Sequence, residues 1–202
     1  APSAGKIPQN TMGLMFLGSA GDFITLFVAF ELVSISTYAL PIIDQKSEKG
    51  KEAAIKYFVT GAFSSALILY GLSLLYGLTG SVQLSVVATV LQASTLQPIL
   101  IVAMIFLLAG FGYKMAIVPF HLWAPDAYEG SPTPVSAFLA GITKKGAFVV
   151  VLKLFLATLI AIKLHVILLF AIIAALTMTI GNIVALVQND MERMLAYSSI
   201  AH

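Results

Sequence analysis

Residues Gly112–Gly146, GYKMAIVPFHLWAPDAYEGSPTPVSAFLAGITKKG, decide the fold. The stretch sets Lys114, His121, Lys144 and Lys145 into a run otherwise apolar enough for a lipid bilayer. It interrupts that run with Pro119, Pro125, Pro132 and Pro134. Upstream, Pro98 stands where the start of a helix tolerates proline best, and apolar character continues from it to about Tyr128. That run is too long for one straight helix across a bilayer. Pro119 lies inside it, where a proline removes a backbone donor and breaks the helical ladder. The spacing therefore predicts a discontinuous helix over 98–128, broken near Pro119, with a return span over 135–159.

Composition extends this reading to the whole chain. Of 202 residues, 59% are apolar and 10% charged, and the mean hydropathy is +0.99. A water-soluble domain cannot hide so much apolar surface. Runs of roughly twenty residues with one charge or none recur, and at about 1.5 Å per residue such a run spans a ~30 Å hydrocarbon core. The expected class is all-α, a polytopic transmembrane helix bundle forming one domain over 1–202. Its expected spans are 12–20 (partial), 23–43, 53–76, 98–128, 135–159, 166–187 and 195–202 (partial). The uncharged connection 77–97 reads as an external loop with some structure of its own. The segment Ala1–Asn10 is polar and has no leader pattern, so the chain is expected to begin inside a longer gene product.

Several function classes drop out. A net charge of +2 without a basic patch gives no nucleic-acid partner. The absence of cysteine removes disulfides, thiolate-held iron–sulfur clusters and a cysteine nucleophile. His121, His165 and His202 are too scattered for haem or metal, and no phosphate-cradling glycine motif follows a strand, so no cofactor is expected. The lysines of DQKSEKGKE, Asp44–Glu52, against the uncharged 77–97 connection place that first loop on the cytoplasmic side. Alternation puts 129–132 and 190–193 there too, with Lys163 outside. Trp123 and Tyr128 suit the inner headgroup boundary.

The informative residues are the charges left in the membrane. Glu31 is the only charge in its span, roughly 13 to 20 Å from either end and beyond snorkelling reach. A charge there costs at least ~2.5–3.5 kcal/mol, and such groups face the bundle interior and pair. Lys144 and Lys145 are equally deep, but adjacent helix positions point about 100° apart, so one pocket does not hold both. Helix faces alone do not choose between them. Lys114 is functional if the helix breaks at Pro119 and lines a polar cavity, and a snorkelling residue if the helix ends there. His121 is either a proton relay or a satisfied structural donor. Lys56, one turn inside its span, reads by position as a snorkelling residue. A buried lysine is driven toward neutrality by desolvation and restored by a nearby carboxylate, so an acid and lysines on successive spans suggest proton-binding sites that shift one another.

FELVSISTYAL, EAAIKYFVTGAFSSALILYG, the Gly112–Gly146 stretch with its VPFHLW, PD and PVS, and NIVALVQNDMERMLAYSSIAH together resemble the antiporter-like, proton-translocating membrane subunits of respiratory complex I and its relatives, and among them the N-type subunit. The resemblance covers nearly the whole chain beyond the first dozen residues. It implies that Glu31 is the family's key glutamate, Lys114 the lysine at the broken helix and Lys144, rather than Lys145, the lysine of the next helix. Lys56 and His121 fall on positions that matter in the family. It further implies an ion pair between Glu31 and Lys114, made and broken in step with redox chemistry elsewhere, with Lys144 passing the proton onward. Members have about fourteen helices in two inverted repeats, so this chain is expected to be a fragment covering the first repeat plus one to two helices.

The expected function is proton translocation within a quinone-reducing respiratory translocase, without a complete active site or redox cofactor in this chain. The alternatives are a cation/proton antiporter subunit and a non-pumping structural subunit. Expected partners are the lipid bilayer, protons and other membrane subunits, with quinone bound elsewhere. The expected location is the inner (plasma) membrane of a prokaryote rather than an organelle.

Overall fold

The computed structural model describes residues 6–41, 47–93, 97–158 and 163–202, all of whose regular elements are helical. Asp44 and Lys46 of the first charged loop, and Leu159 at the end of the expected return span, lie outside the described residues. Helix α1 is Lys6–Ser19 and α2 is Phe23–Tyr38, whose first turn is capped by Asp22 accepting from Thr25 N. α2 stops short of Pro41, which disfavours helical backbone before it. Ser47 caps α3, Glu48–Thr79, by accepting from Gly50 N, and this cap starts the helix earlier than hydropathy does. α3 closes on Gly80 at φ 66°, a conformation suited to glycine. The uncharged 77–97 connection contains a helix, α4, Leu84–Ala93. Its apolar side chains Val87 and Leu91 pack into the core and hold it there.

Then come α5, Pro98–Met115, and α6, Trp123–Glu129. The return span is composite: α7, Thr133–Phe138; a π-helical turn, Leu139–Thr143; α8, Lys144–Val151; and a second π-helical turn, Leu152–Thr158. α9 is Lys163–Leu186, and α10, Met191–Ala201, is capped by Asp190. Four helices among the described residues are long and apolar enough to cross a membrane: Glu48–Thr79, Pro98–Met115, Thr133–Phe155 and Ile167–Leu186.

The break begins earlier than Pro119. α5 ends at Met115, and Ala116 takes φ 56°, ψ 41°. Ala116 N donates to Tyr113 O at 3.0 Å and Ile117 N to Gly112 O at 3.0 Å, the paired bonds of a helix stop that usually carries glycine. A helical Pro119 would drive its ring into the carbonyl four residues back, that of Met115, so the ladder ends there. Alanine in the left-handed region costs about 1–2 kcal/mol. One freed donor at membrane depth, Val118 N, is satisfied by Thr177 Oγ1 of α9 at 3.1 Å.

α3 and α5 pack with their backbones close together. A Cβ added at Gly71 would lie 2.7 Å from Leu107, and one at Gly110 would lie 2.4 Å from Ile68 and 2.9 Å from Ser64 O. Without a strong hydrophobic drive between helices in lipid, such small-residue contacts and the Ser64 Oγ to Gly110 O bond of 2.7 Å hold the pair. Leu26, Phe30, Phe111, Val150 and Leu154 join α2, α8 and the second π-helical turn to the same core.

Each end of the bundle is tied. At one end, Phe23 N donates to Val82 O and Leu84 N to Gly21 O, joining the α1–α2 turn to the α3–α4 turn. Lys153 Nζ donates there to the carbonyls of Leu17, Gly18 and Ala20, closing α1. At the other end, Arg193 Nη1 bridges Asp126 at 2.8 Å and Glu129 at 2.7 Å, while Lys49 pairs with Glu129 at 2.7 Å and Lys56 with Asp126 at 2.8 Å. This network links α3, α6 and α10. Hydrogen bonds from Lys49 and Arg193 hold the Glu129 carboxyl below its usual range.

Two outcomes are expected. Thr177→Val strands the buried Val118 N–H and lowers stability by about 1–3 kcal/mol, read by denaturant unfolding in detergent. Because the Glu129 carboxyl is depressed in the folded chain, its stabilising contribution is full above the ordinary carboxylate range and fades as pH falls through the lowered folded value. The stability difference between wild type and Arg193→Ala, about 1 kcal/mol at neutral pH, accordingly shrinks on acidification. A difference that stays constant to low pH contradicts the network.

Candidate functional site

Lys114 occupies the last turn of α5, where the helix dipole favours a cation, and is 5% exposed. Its Nζ lies 4.4 Å from the ring centroid of Tyr38, 4.9 Å from that of Tyr57 and 5.9 Å from that of Tyr113. Among the described residues Nζ has no hydrogen-bond partner, so aromatic faces are its main support. The rings are themselves fixed. Tyr57 Oη shares a 3.0 Å hydrogen bond with Thr37 Oγ1 and stacks on Trp123 at 4.7 Å. Trp123 Nε1 donates to Tyr113 O at 2.7 Å, and Tyr113 Oη donates to Tyr57 O at 3.0 Å. Trp123 and Tyr128 are thus buried parts of the site, because the break folds α6 back against α3.

Glu31 is partly buried on α2, two turns before Tyr38 and on the same face. Its Oε1 accepts from Ser65 Oγ at 2.5 Å. No ion pair within 4.0 Å joins the two among the described residues, so the pair implied by the resemblance is open in this conformation.

Lys144 follows directly on the first π-helical turn, whose extra residue re-aims the face presented beyond it. It is 5% exposed, and its Nζ donates to Ser199 Oγ at 2.9 Å and Ser199 O at 3.2 Å on α10. The Tyr128 ring lies 5.6 Å away. A cavity of about 200 Å³ beside Lys144 is lined by Met115, Ile117, Thr177, Ser199 and His202 among others. Lys145 is exposed on a different face, in a groove with Leu14, Leu17 and Gly18 of α1. Tertiary packing thus buries Lys144 and leaves Lys145 exposed, a difference that helix geometry leaves open.

A row of rings connects the two buried lysines. Tyr57 faces Lys114 and stacks on Trp123, Trp123 meets Tyr128 edge-on at 6.4 Å, and Tyr128 faces Lys144. His121 stands apart from this row, its ring 6.2 Å from that of Tyr197, with Nδ1 buried and lacking a hydrogen-bond partner among the described residues. Lys56 is exposed and engaged by Asp126 and Glu52, outside the cage around Lys114. Pro119 is exposed within the break.

The seven-residue spacing of Glu31 and Tyr38 is a sequence signal for a shared helix face. Nothing local announces Ser65, Ser199 or Thr177, because each acts on a residue of another helix.

The family model described as NADH:quinone oxidoreductase/Mrp antiporter, TM, matches residues 20–202. The F(420)H(2) dehydrogenase subunit N of Methanosarcina mazei is 48% identical over 191 residues, covering 95% of this chain and 39% of that protein. A chain of respiratory complex I from Thermus thermophilus superposes with a TM-score of 0.82 at 39% identity, over 98% of this chain and 42% of that one. A chain of the Mrp complex from a Dietzia species shares the fold, with a TM-score of 0.88 at 24% identity over 97% of this chain and 36% of that one. The chain spans about two fifths of the length of the curated relatives it matches.

The cage around Lys114 is testable by stability. Tyr57→Phe keeps the ring and loses only the bond to Thr37, costing about 1 kcal/mol. Tyr57→Leu also removes the Trp123 stack and the cation contact and costs about 3 kcal/mol or more. Equal unfolding midpoints for the two variants would show that the ring does not support the site.

Proposed function

The chain belongs to the NADH:quinone oxidoreductase/Mrp antiporter membrane family, and from that premise we propose that it moves protons along a buried Glu31–Lys114–Lys144 relay in a prokaryotic plasma membrane. It does so as a membrane subunit of a quinone-reducing respiratory complex whose electron chemistry and quinone site lie in other subunits. The observation that supports this most directly is Lys114: an ionisable amine buried at the stop of a broken transmembrane helix, held by aromatic faces and left without a hydrogen bond among the described residues. A structural lysine would be expected to hold a fixed acceptor at that depth. Lys114 instead keeps its protons uncommitted between a carboxylate on one side and a second lysine beyond the ring row.

The steps follow from the contacts. Glu31 rests on Ser65 Oγ. When it turns toward Lys114 an ion pair closes and the lysine's proton is held; when it returns to Ser65 that proton is free to leave. Lys144, whose donors rest on the hydroxyl and carbonyl of Ser199, is the receiving site. The left-handed stop at Ala116 and the Thr177 bond to Val118 N keep the break open with that donor satisfied, so the lysine end of α5 shifts without unravelling the bundle. Lys56 and the Asp126–Glu129–Arg193 network form the charged cytoplasmic mouth. His121, facing Tyr197, serves α10 rather than the Lys114 cage.

Lys114→Ala and Glu31→Ala, each made in the intact subunit in its complex, are expected to lower coupled proton transport about tenfold or more. Unchanged transport in both would leave a structural role only. Sodium-dependent transport by the purified chain without partner subunits would favour an antiporter instead.

A further inference from the structure

Three tyrosines face the amine of Lys114, and their hydroxyls are not in the same state. Tyr57 Oη shares its hydrogen bond with Thr37 Oγ1. Tyr113 Oη bonds Thr60 Oγ1 at 2.6 Å and donates to Tyr57 O at 3.0 Å. Tyr38 Oη is buried and has no hydrogen-bond partner among the described residues. Leaving a buried hydroxyl unpaired costs stability, and such a group in a folded protein calls for an account of what it does.

Tyr38 spans the interval between the two charges of the relay. Its ring centroid lies 4.4 Å from Lys114 Nζ. Its hydroxyl end rests against α3 at Gly61, where an added Cβ would come within 2.5 Å of Oη, so the missing side chain of Gly61 makes room for the phenol. Along the α2–α3 contact, Thr37 meets Tyr57 and Glu31 meets Ser65, and Gly61 lies midway between the two. Gly61 O accepts from Ser65 Oγ at 3.1 Å, the same hydroxyl that holds Glu31. The Tyr38 hydroxyl therefore stands one turn of α3, about 6 Å of rise, from the Glu31 contact. Side chains on a helix lean toward its N-terminus, which turns the phenol of Tyr38 back toward Glu31.

We propose that Tyr38 belongs to the relay: its hydroxyl bridges Glu31 and Lys114 and carries the proton between them. The oxygen of Tyr38 accepts a proton from the Lys114 ammonium as its own O–H proton passes to the Glu31 carboxylate. One N–H and one O–H bond break while two O–H bonds form, so lysine and glutamate end neutral and the phenol is unchanged. The reverse step reloads the lysine. Lys114 reaches the hydroxyl by sliding along the ring face to its edge, a movement that the flexible lysine stem makes within the cage. Tyr57 and Phe58, edge-on to the Tyr38 ring at 5.1 Å and 5.6 Å, hold the ring while the hydroxyl hydrogen turns. This assignment rests on the Glu31–Lys114 relay and adds the group between its two members.

Because the hydroxyl is unpaired, its removal separates function from stability. Tyr38→Phe, made in the full-length subunit within its complex, keeps the ring over Lys114 and loses no hydrogen bond. Coupled proton transport should fall about tenfold or more. Assembly of the complex and the unfolding midpoint of the separated subunit in detergent should stay at wild-type values or above. Wild-type transport in Tyr38→Phe overturns the proposal. Lost transport accompanied by poor assembly or a lowered midpoint also overturns it, because the hydroxyl is then a structural tie. Lost transport in Lys114→Ala beside wild-type transport in Tyr38→Phe removes the bridge and leaves the relay standing. Wild-type transport in both Lys114→Ala and Glu31→Ala removes the relay itself.

Discussion

Everything in this bundle is arranged around placing one amine, Lys114, at the end of a helix that stops inside the membrane. A cation there needs negative potential without a permanent proton acceptor, and two features supply it. The terminal carbonyls of α5 carry the negative end of the helix dipole, and the faces of Tyr38 and Tyr57 present their π electrons to Nζ. Neither takes the proton. The remaining architecture keeps those two features in register: Trp123 clamps the ring of Tyr57 and the carbonyl of Tyr113 together, and it reaches them only because the chain folds back after Ala116.

Two of the irregular backbone sites adjoin the buried lysines. The left-handed Ala116 directs the chain from α5 into α6, and a π-helical turn immediately precedes Lys144. Each departure from regular helix exposes or shifts backbone groups, which lipid does not tolerate unsatisfied. The structure answers with side chains from distant elements: Thr177 of α9 for Val118 N, and Ser199 of α10 for the Lys144 amine. The charged mouth formed by Lys49, Lys56, Asp126, Glu129 and Arg193 fastens the same elements from outside, so the α3–α6–α10 arrangement that shapes the lysine sites is held at its water-facing end.

The setting of each charge is made by packing between helices, and two places show this. Glu31 rests on Ser65 and not on Lys114, although the two belong to helices that touch through Phe30 and Phe111. Lys144 and Lys145 are chemically identical and adjacent, yet one is buried against Ser199 and the other faces outward. The difference is made by which helices pack on which face of α8, and by the π-helical turn before it.

The sequence by itself determined the class of molecule and the depth of its charges. Runs of apolar residues matched to bilayer thickness, interrupted by Glu31, Lys114 and the Lys144–Lys145 pair, are properties of local order along the chain, and they survive any tertiary arrangement. Local rules also pointed to a broken helix, although Pro119 acts on the carbonyl four residues earlier and so moved the stop to Met115. Tertiary structure alone decided which rings surround Lys114, that Trp123 and Tyr128 are internal, that α4 is a helix and which of Lys144 and Lys145 is buried. Those outcomes depend on contacts between residues some twenty to sixty positions apart, such as Thr37 with Tyr57 and Val118 with Thr177, which are set by helix packing rather than by neighbours in sequence.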